Sequence, residues 1–79
     1  MLVINQKRTI SVPIEQTTLS VIDGGDGESR IIAYPVGEYM QYSSRKLGGY
    51  KTLERAKQVF NAVMDAYRRD TKTYFMPEE

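Results

Sequence analysis

Residues 53–69 carry their apolar side chains at helical spacing, whereas the segments before them carry theirs at the spacing of strands. That change of period constrains the fold more than any other feature of the chain. At about 100° per residue, Leu53, Ala56, Phe60, Val63, Met64 and Tyr67 share one face of a helix. Glu54, Lys57, Gln58, Asn61, Asp65, Arg68 and Arg69 take the other. Thr52 stands where an N-cap hydroxyl accepts from a free helix N–H, and Glu54 lies in the first turn, where the helix dipole favours a carboxylate. The spacing therefore predicts a helix from Leu53 to Arg69, within a helical segment at 52–70. Val59, Ala62 and Ala66 form a small-residue shoulder beside its apolar face. Either the sheet extends beneath them, or they make a close helix contact in a dimer.

Residues 1–43 read as the β-rich part. Leu2-Val3-Ile4 is a short apolar run followed by a turn at Asn5-Gln6-Lys7. Ile10, Val12 and Ile14 then alternate with Thr9, Ser11 and Pro13. Pro13 cannot donate to a sheet ladder and belongs at an edge or a strand end. Thr17 to Ile22 and Arg30 to Val36 are strands that flank Asp23-Gly24-Gly25-Asp26-Gly27-Glu28, a strong turn signal, so the pair is expected to form a hairpin. Glu38 to Ser43 reads as a further strand. Leu47 to Thr52 reads as a turn into the helix, and residues 73–77 as a short terminal strand or docked arm. The fold expected is α+β and a single domain over 1–79. It is a small antiparallel sheet of about four to six short strands packed against one C-terminal amphipathic helix.

A chain of 79 residues buries a small core and usually needs support from a disulfide, a metal or another subunit. Cysteine and histidine are both absent. Disulfides are thereby excluded, and a structural zinc has no customary ligands. A homo-oligomer is the expected remedy. The same absence removes the usual nucleophile–base pairs, and the carboxylates fall in turns and on the polar helix face. The expectation is a non-enzyme with no cofactor. The Asp23–Glu28 turn lacks the ligand spacing of a calcium loop. The opening residues lack the pattern of a secretory signal, and no apolar run is long enough to span a bilayer. A cytoplasmic protein with no membrane partner is expected.

The net charge of +1 conceals an uneven distribution. Residues 1–42 hold three cations against five carboxylates, residues 43–72 hold eight against three, and Glu78 and Glu79 follow. Arg45, Lys46, Lys51 and Arg55 crowd a two-glycine segment leading into a helix N-terminus, where free N–H groups favour anions. With Tyr42 and Tyr50 they form the candidate ligand or partner site; the alternative is an ordinary turn and a solvated helix face. Tyrosine among basic residues suits base stacking and protein interfaces. A charge this close to zero argues against broad nucleic-acid binding.

Leu47-Gly48-Gly49-Tyr50-Lys51-Thr52-Leu53-Glu54-Arg55-Ala56-Lys57-Gln58-Val59, the closing Tyr74-Phe75-Met76-Pro77 and the opening Met1-Leu2-Val3-Ile4-Asn5-Gln6 resemble a group of small uncharacterised proteins encoded by phages and prophages of Gram-positive bacteria. Those typically read LG-x-Y-x-T-E-E-R-A-K-x-V, then a helix and a closing Y-x-M-P. This chain departs from the pattern at Leu53, where an acidic residue is usual. The resemblance implies a phage or mobile-element origin. It implies no mechanism; small accessory proteins of phages are often inhibitors of host systems, so the expectation is a non-enzymatic binding protein that counteracts a host defence by blocking a host protein. The alternatives are an oligomeric sponge for a nucleotide immune signal, a nucleic-acid-binding accessory protein, and a virion component.

Overall fold

The alternating run Thr17–Asp23 and the run Ser29–Pro35 form strands β3 and β4, paired antiparallel from Thr17↔Pro35 to Asp23↔Ser29. The computed structural model describes residues 1–37 and 44–79. The turn between β3 and β4 is the one read from the sequence. Gly25 and Gly27 take φ of 70° and 85°, a region closed to most side chains, and Gly24 N–H donates to Glu28 O at 3.1 Å. The other edge of β4 pairs with β5, Arg45–Tyr50, to give the sheet β3-β4-β5.

β5 corrects the expected turn over 47–52, whose first four residues are strand. Pairing passes from Ile31↔Gly48 to Ile32↔Lys46, so Leu47 is a bulge, and it is buried. Glycines inside a strand read as loop from sequence, yet they mark a bulge or a close approach equally well. The strand expected at Glu38–Ser43 lies outside the described residues.

The second sheet has the order β2-β1-β6. β1 is Leu2–Ile4, β2 is Ser11–Pro13 and β6 is Thr73–Phe75. β1 runs antiparallel to β2 and parallel to β6. The α+β class, the six short strands among the described residues and the one C-terminal helix are as expected, with the strands divided between two three-stranded sheets, one holding a parallel pair, in place of the single antiparallel sheet expected. Pro13 ends β2 at the sheet edge, as its missing N–H requires, and a 3₁₀ turn at Ile14–Gln16 leads to β3. Ile14 therefore belongs to that turn and not to the alternating strand. The sheets meet where Gln6 N–H donates to Leu47 O at 2.9 Å.

Helix α1, Leu53–Arg68, begins as its sequence predicts, with Arg55 N–H donating to Thr52 Oγ1 at 3.0 Å. At its end Asp70 takes φ of 58° and Thr71 N–H donates to Ala66 O at 3.1 Å, a left-handed cap that satisfies late carbonyls. α1 lies across β3, β4 and β5. Its buried residues are Ala56, Val59 and Val63, so the buried face is turned toward the small-residue shoulder. Val59 is a core residue, Phe60 and Met64 are half-buried, and Tyr67 is exposed. The reason is that the core draws on both sheets: Val3, Ile14, Ile31, Ala33, Leu47, Tyr50 and Met76 join these helix residues in one cluster. Fully burying each large aliphatic side chain contributes about 1.5–3 kcal/mol. Among the described residues, no helix is long and apolar enough to cross a membrane.

Candidate functional site

The fold distributes the basic segment over different surfaces. Arg45 pairs with Ala33 in register and lines a groove of about 460 Å³ with Val12, Pro13, Gln16, Thr17 and Tyr34. Lys46 is its neighbour in a strand, so it points to the opposite face, where Nζ meets Glu28 Oε1 at 2.8 Å. Lys51 and Arg55 line a second pocket, of about 430 Å³, with Gly27, Glu28, Gly49, Tyr50, Glu78 and Glu79. Tyr50 is core: it is 3% exposed, and its hydroxyl donates to Pro77 O at 2.9 Å. Tyr42 lies outside the described residues. Thus Tyr50, Lys51 and Arg55 come together, while Arg45 and Lys46 go elsewhere.

The pocket at Lys51 and Arg55 is not a basic one. Glu28, Glu78 and Glu79 face the two cations across it, and the Arg55 guanidinium is already engaged. Its Nε and Nη2 donate to Glu79 O at 3.0 and 2.8 Å. A phosphate is attracted where positive potential is in surplus, and the charges here offset one another.

The same balance holds at the β3–β4 turn. Arg30 pairs with Asp26 at 2.5 Å and with Glu28 at 3.1 Å, and Glu28 also holds Lys46. The Arg30 hydrogen bond keeps the Asp26 carboxyl below its usual range. The Lys46 hydrogen bond does the same for Glu28, and Asp26 in turn raises Arg30. Two cations and two carboxylates neutralise one another on the surface. Among the described residues, no cluster of acidic side chains could hold a metal ion.

A different surface combines exposure with composition suited to recognition. In β2-β1-β6, the register places Leu2 and Ile4 on one face with Pro13, Ser11, Thr73 and Phe75, while Val3, Val12 and Tyr74 turn to the other. Val3 is fully buried, and Val12 and Tyr74 pack against the core. Phe75 is 51% exposed and Leu2 44% exposed. The Arg8 guanidinium carbon sits over the Phe75 ring, 4.7 Å from its centroid, an attraction of about 0.5–1 kcal/mol at an exposed site.

Asn5 builds the loop that holds Arg8 there. Its Oδ1 accepts from Thr9 N–H at 2.8 Å and Ile10 N–H at 2.9 Å, and its Nδ2 donates to Thr9 Oγ1 at 3.1 Å. Arg8 N–H donates to Asn5 O at 3.0 Å, and Arg8 takes φ of 58°. A non-glycine residue in that region costs about 1–2 kcal/mol. Strain of this kind is retained where the surrounding hydrogen bonds over-determine it. Residues 73–77 read as a terminal strand or docked arm, and strand alternation sends Tyr74 inward and Phe75 outward. No sequence signal places Arg8 on Phe75.

No protein-family model matches the chain, and the comparisons with curated proteins and with solved structures found no match.

Proposed function

We propose that this chain is a non-catalytic binding protein that acts by occupying a protein partner, with the outer face of β2-β1-β6 as the contact surface. The observation that carries the proposal is the exposed Phe75 ring with Arg8 held on it beside Leu2 and Ile4. Aromatic residues and arginine are enriched where interfaces concentrate their binding energy. The resemblance of the helix start and closing motif to phage proteins supplies the class of partner: a protein of the bacterial host, blocked to counter a defence. A nucleotide sponge draws less support, because the cations proposed to hold phosphates are dispersed or matched by carboxylates.

The test is capture from a Gram-positive lysate, followed by calorimetry with each purified candidate. A true partner binds the native chain and loses about tenfold or more in affinity with Phe75→Ser, a change of about 1.4 kcal/mol. Arg8→Glu weakens the same complex. A partner that binds both variants as well as the native chain would place the contact surface elsewhere.

A further inference from the structure

β3 is the longest strand left with a free edge among the described residues. The other edges are closed or short. The far side of β5 receives Gln6, β2 ends at Pro13, and β6 has three residues. β3 has seven, its first six are uncharged, and none is proline. Natural edge strands are usually defended by charge, proline, a bulge or brevity, and β3 shows none of these over Thr17–Ile22.

The ladder fixes which backbone groups face outward. Gly24 N–H donates to Glu28 O and Val36 N–H to Gln16 O, each at 3.1 Å and both in the β3–β4 register. In an antiparallel pair, bonded positions alternate with non-bonded ones. The even-numbered residues of β3 therefore bond to β4. Leu19, Val21 and Asp23 present N–H and C=O to the open side. Thr17 presents its C=O there, its N–H being taken by Ile14 O.

We infer that this edge pairs with β3 of a second copy, antiparallel about a two-fold axis at Ser20. The parity required is the parity present. Leu19 of one copy falls opposite Val21 of the other, and both have outward backbone groups. Thr17 falls opposite Asp23, so that the free carbonyl of one receives the N–H of the other. Ser20 meets Ser20 as a non-bonded pair on the axis, and Thr18 meets Ile22. No like charges oppose one another.

The side chains beside the edge extend the contact. Leu19, Val21, Phe60 and Met64 are only partly buried against the core. Thr17, Leu19, Met64 and Tyr67 line one open hollow between β3 and α1, and Tyr67 is 46% exposed. Pairing at β3 gives a six-stranded sheet with both helices on one face. Three strand spacings of about 4.8 Å put the helices about 14 Å apart, and Phe60, Met64 and Tyr67 project into the space between them. A second copy also supplies the support that a core of this size wants without disulfides.

The chain has no cysteine, so single cysteines report this geometry directly. Non-bonded antiparallel pairs have Cα atoms about 4.5 Å apart, inside the disulfide range of about 4.4–6.8 Å. Under mild oxidation Ser20→Cys is expected to become mostly a reducible species of twice the 9.1 kDa chain mass. Thr18→Cys is expected to stay single, because its two copies lie about 13 Å apart along the strands. Sedimentation of the native chain is expected to show a dimer. A native monomer at every concentration overturns the inference. So does a dimer in which Thr18→Cys crosslinks as well as Ser20→Cys, or in which Ser20→Cys does not. These results are independent of whether Phe75 binds a partner protein.

Discussion

The side-chain amide of Gln6 pairs with the backbone of Gly49 as a neighbouring strand would. Its Oε1 accepts from Gly49 N–H at 2.8 Å, and its Nε2 donates to Gly49 O at 3.1 Å. The same Nε2 lies 3.0 Å from both Pro77 O and Glu78 O. One carboxamide thus joins β5, the turn after β1 and the segment after β6.

Gln6→Ala leaves the part-buried N–H and C=O of Gly49 without their partner, while Pro77 O keeps the Tyr50 hydroxyl. It is expected to cost about 2–3 kcal/mol, read as a lower urea midpoint. Gln6→Asn, one methylene shorter, is expected to recover little of that loss.

The two glycines of β5 are expected to respond differently to alanine. A Cβ on Gly48 would meet the Tyr50 hydroxyl at 2.8 Å and its ring at 2.9 Å, and that ring is buried and tethered to Pro77. A Cβ on Gly49 would come closer still to Glu28, at 2.5 Å, but the Glu28 carboxylate is the far end of a surface side chain, and swinging it aside gives up only the exposed ion pairs with Arg30 and Lys46. Gly48→Ala is expected to destabilise by about 1–3 kcal/mol, the cost of overpacking a core, and Gly49→Ala by clearly less. Thermal unfolding of the two variants decides the order.

Burial pushes the Tyr50 phenol up to about 12, with Tyr74 adding to the rise and Arg55 opposing it. The folded state thus holds this proton more tightly than the unfolded chain, whose tyrosine titrates near 10. The stabilisation is complete below the unfolded pKa and is lost as pH rises from about 10 through about 12. Burial raises the Tyr74 phenol as well, and ultraviolet titration should show that Tyr50→Phe removes the latest tyrosinate. The same variant should lose stability less steeply across that interval than the native chain.

Thr52→Ala removes the acceptor for Arg55 N–H. The expected cost is about 1 kcal/mol, with Thr52→Ser retaining most of the stability. Chemical unfolding followed by circular dichroism measures both.

The helix and the β3–β4 hairpin were legible in the sequence because both rest on local signals. The cap at Thr52, the 3.6-residue period and the Asp23–Glu28 turn each act within a few residues. β5 was illegible because Gly48 and Gly49 owe their place to groups distant in sequence: the Glu28 side chain, the Gln6 amide, and Pro77, which tethers the Tyr50 ring against Gly48. The buried face of α1 was displaced for a related reason, since Val59 joins a core that also holds Val3 and Met76 from the far ends of the sequence. The basic segment looked like one site along the chain. Strand alternation sends Arg45 and Lys46 to opposite faces, Glu28 pairs with Lys46, and Glu79 O takes up Arg55 beside Lys51. Arg8 and Phe75, 4.7 Å apart in space, have no common signature in sequence.

The parallel pairing of β1 with β6 also sets an order of events during synthesis. Leu2–Ile4 is made well before Thr73–Phe75, which must follow before Leu2 N–H can reach Lys72 O and Met76 N–H can reach Ile4 O. The hairpin β3–β4 can form while the chain is still growing, because its contacts are local. β1 has only β2 beside it until then, with its other edge open to misplaced strands. The ribosome must therefore add every residue between Ile4 and Thr73 before the central strand of that sheet gains its second neighbour.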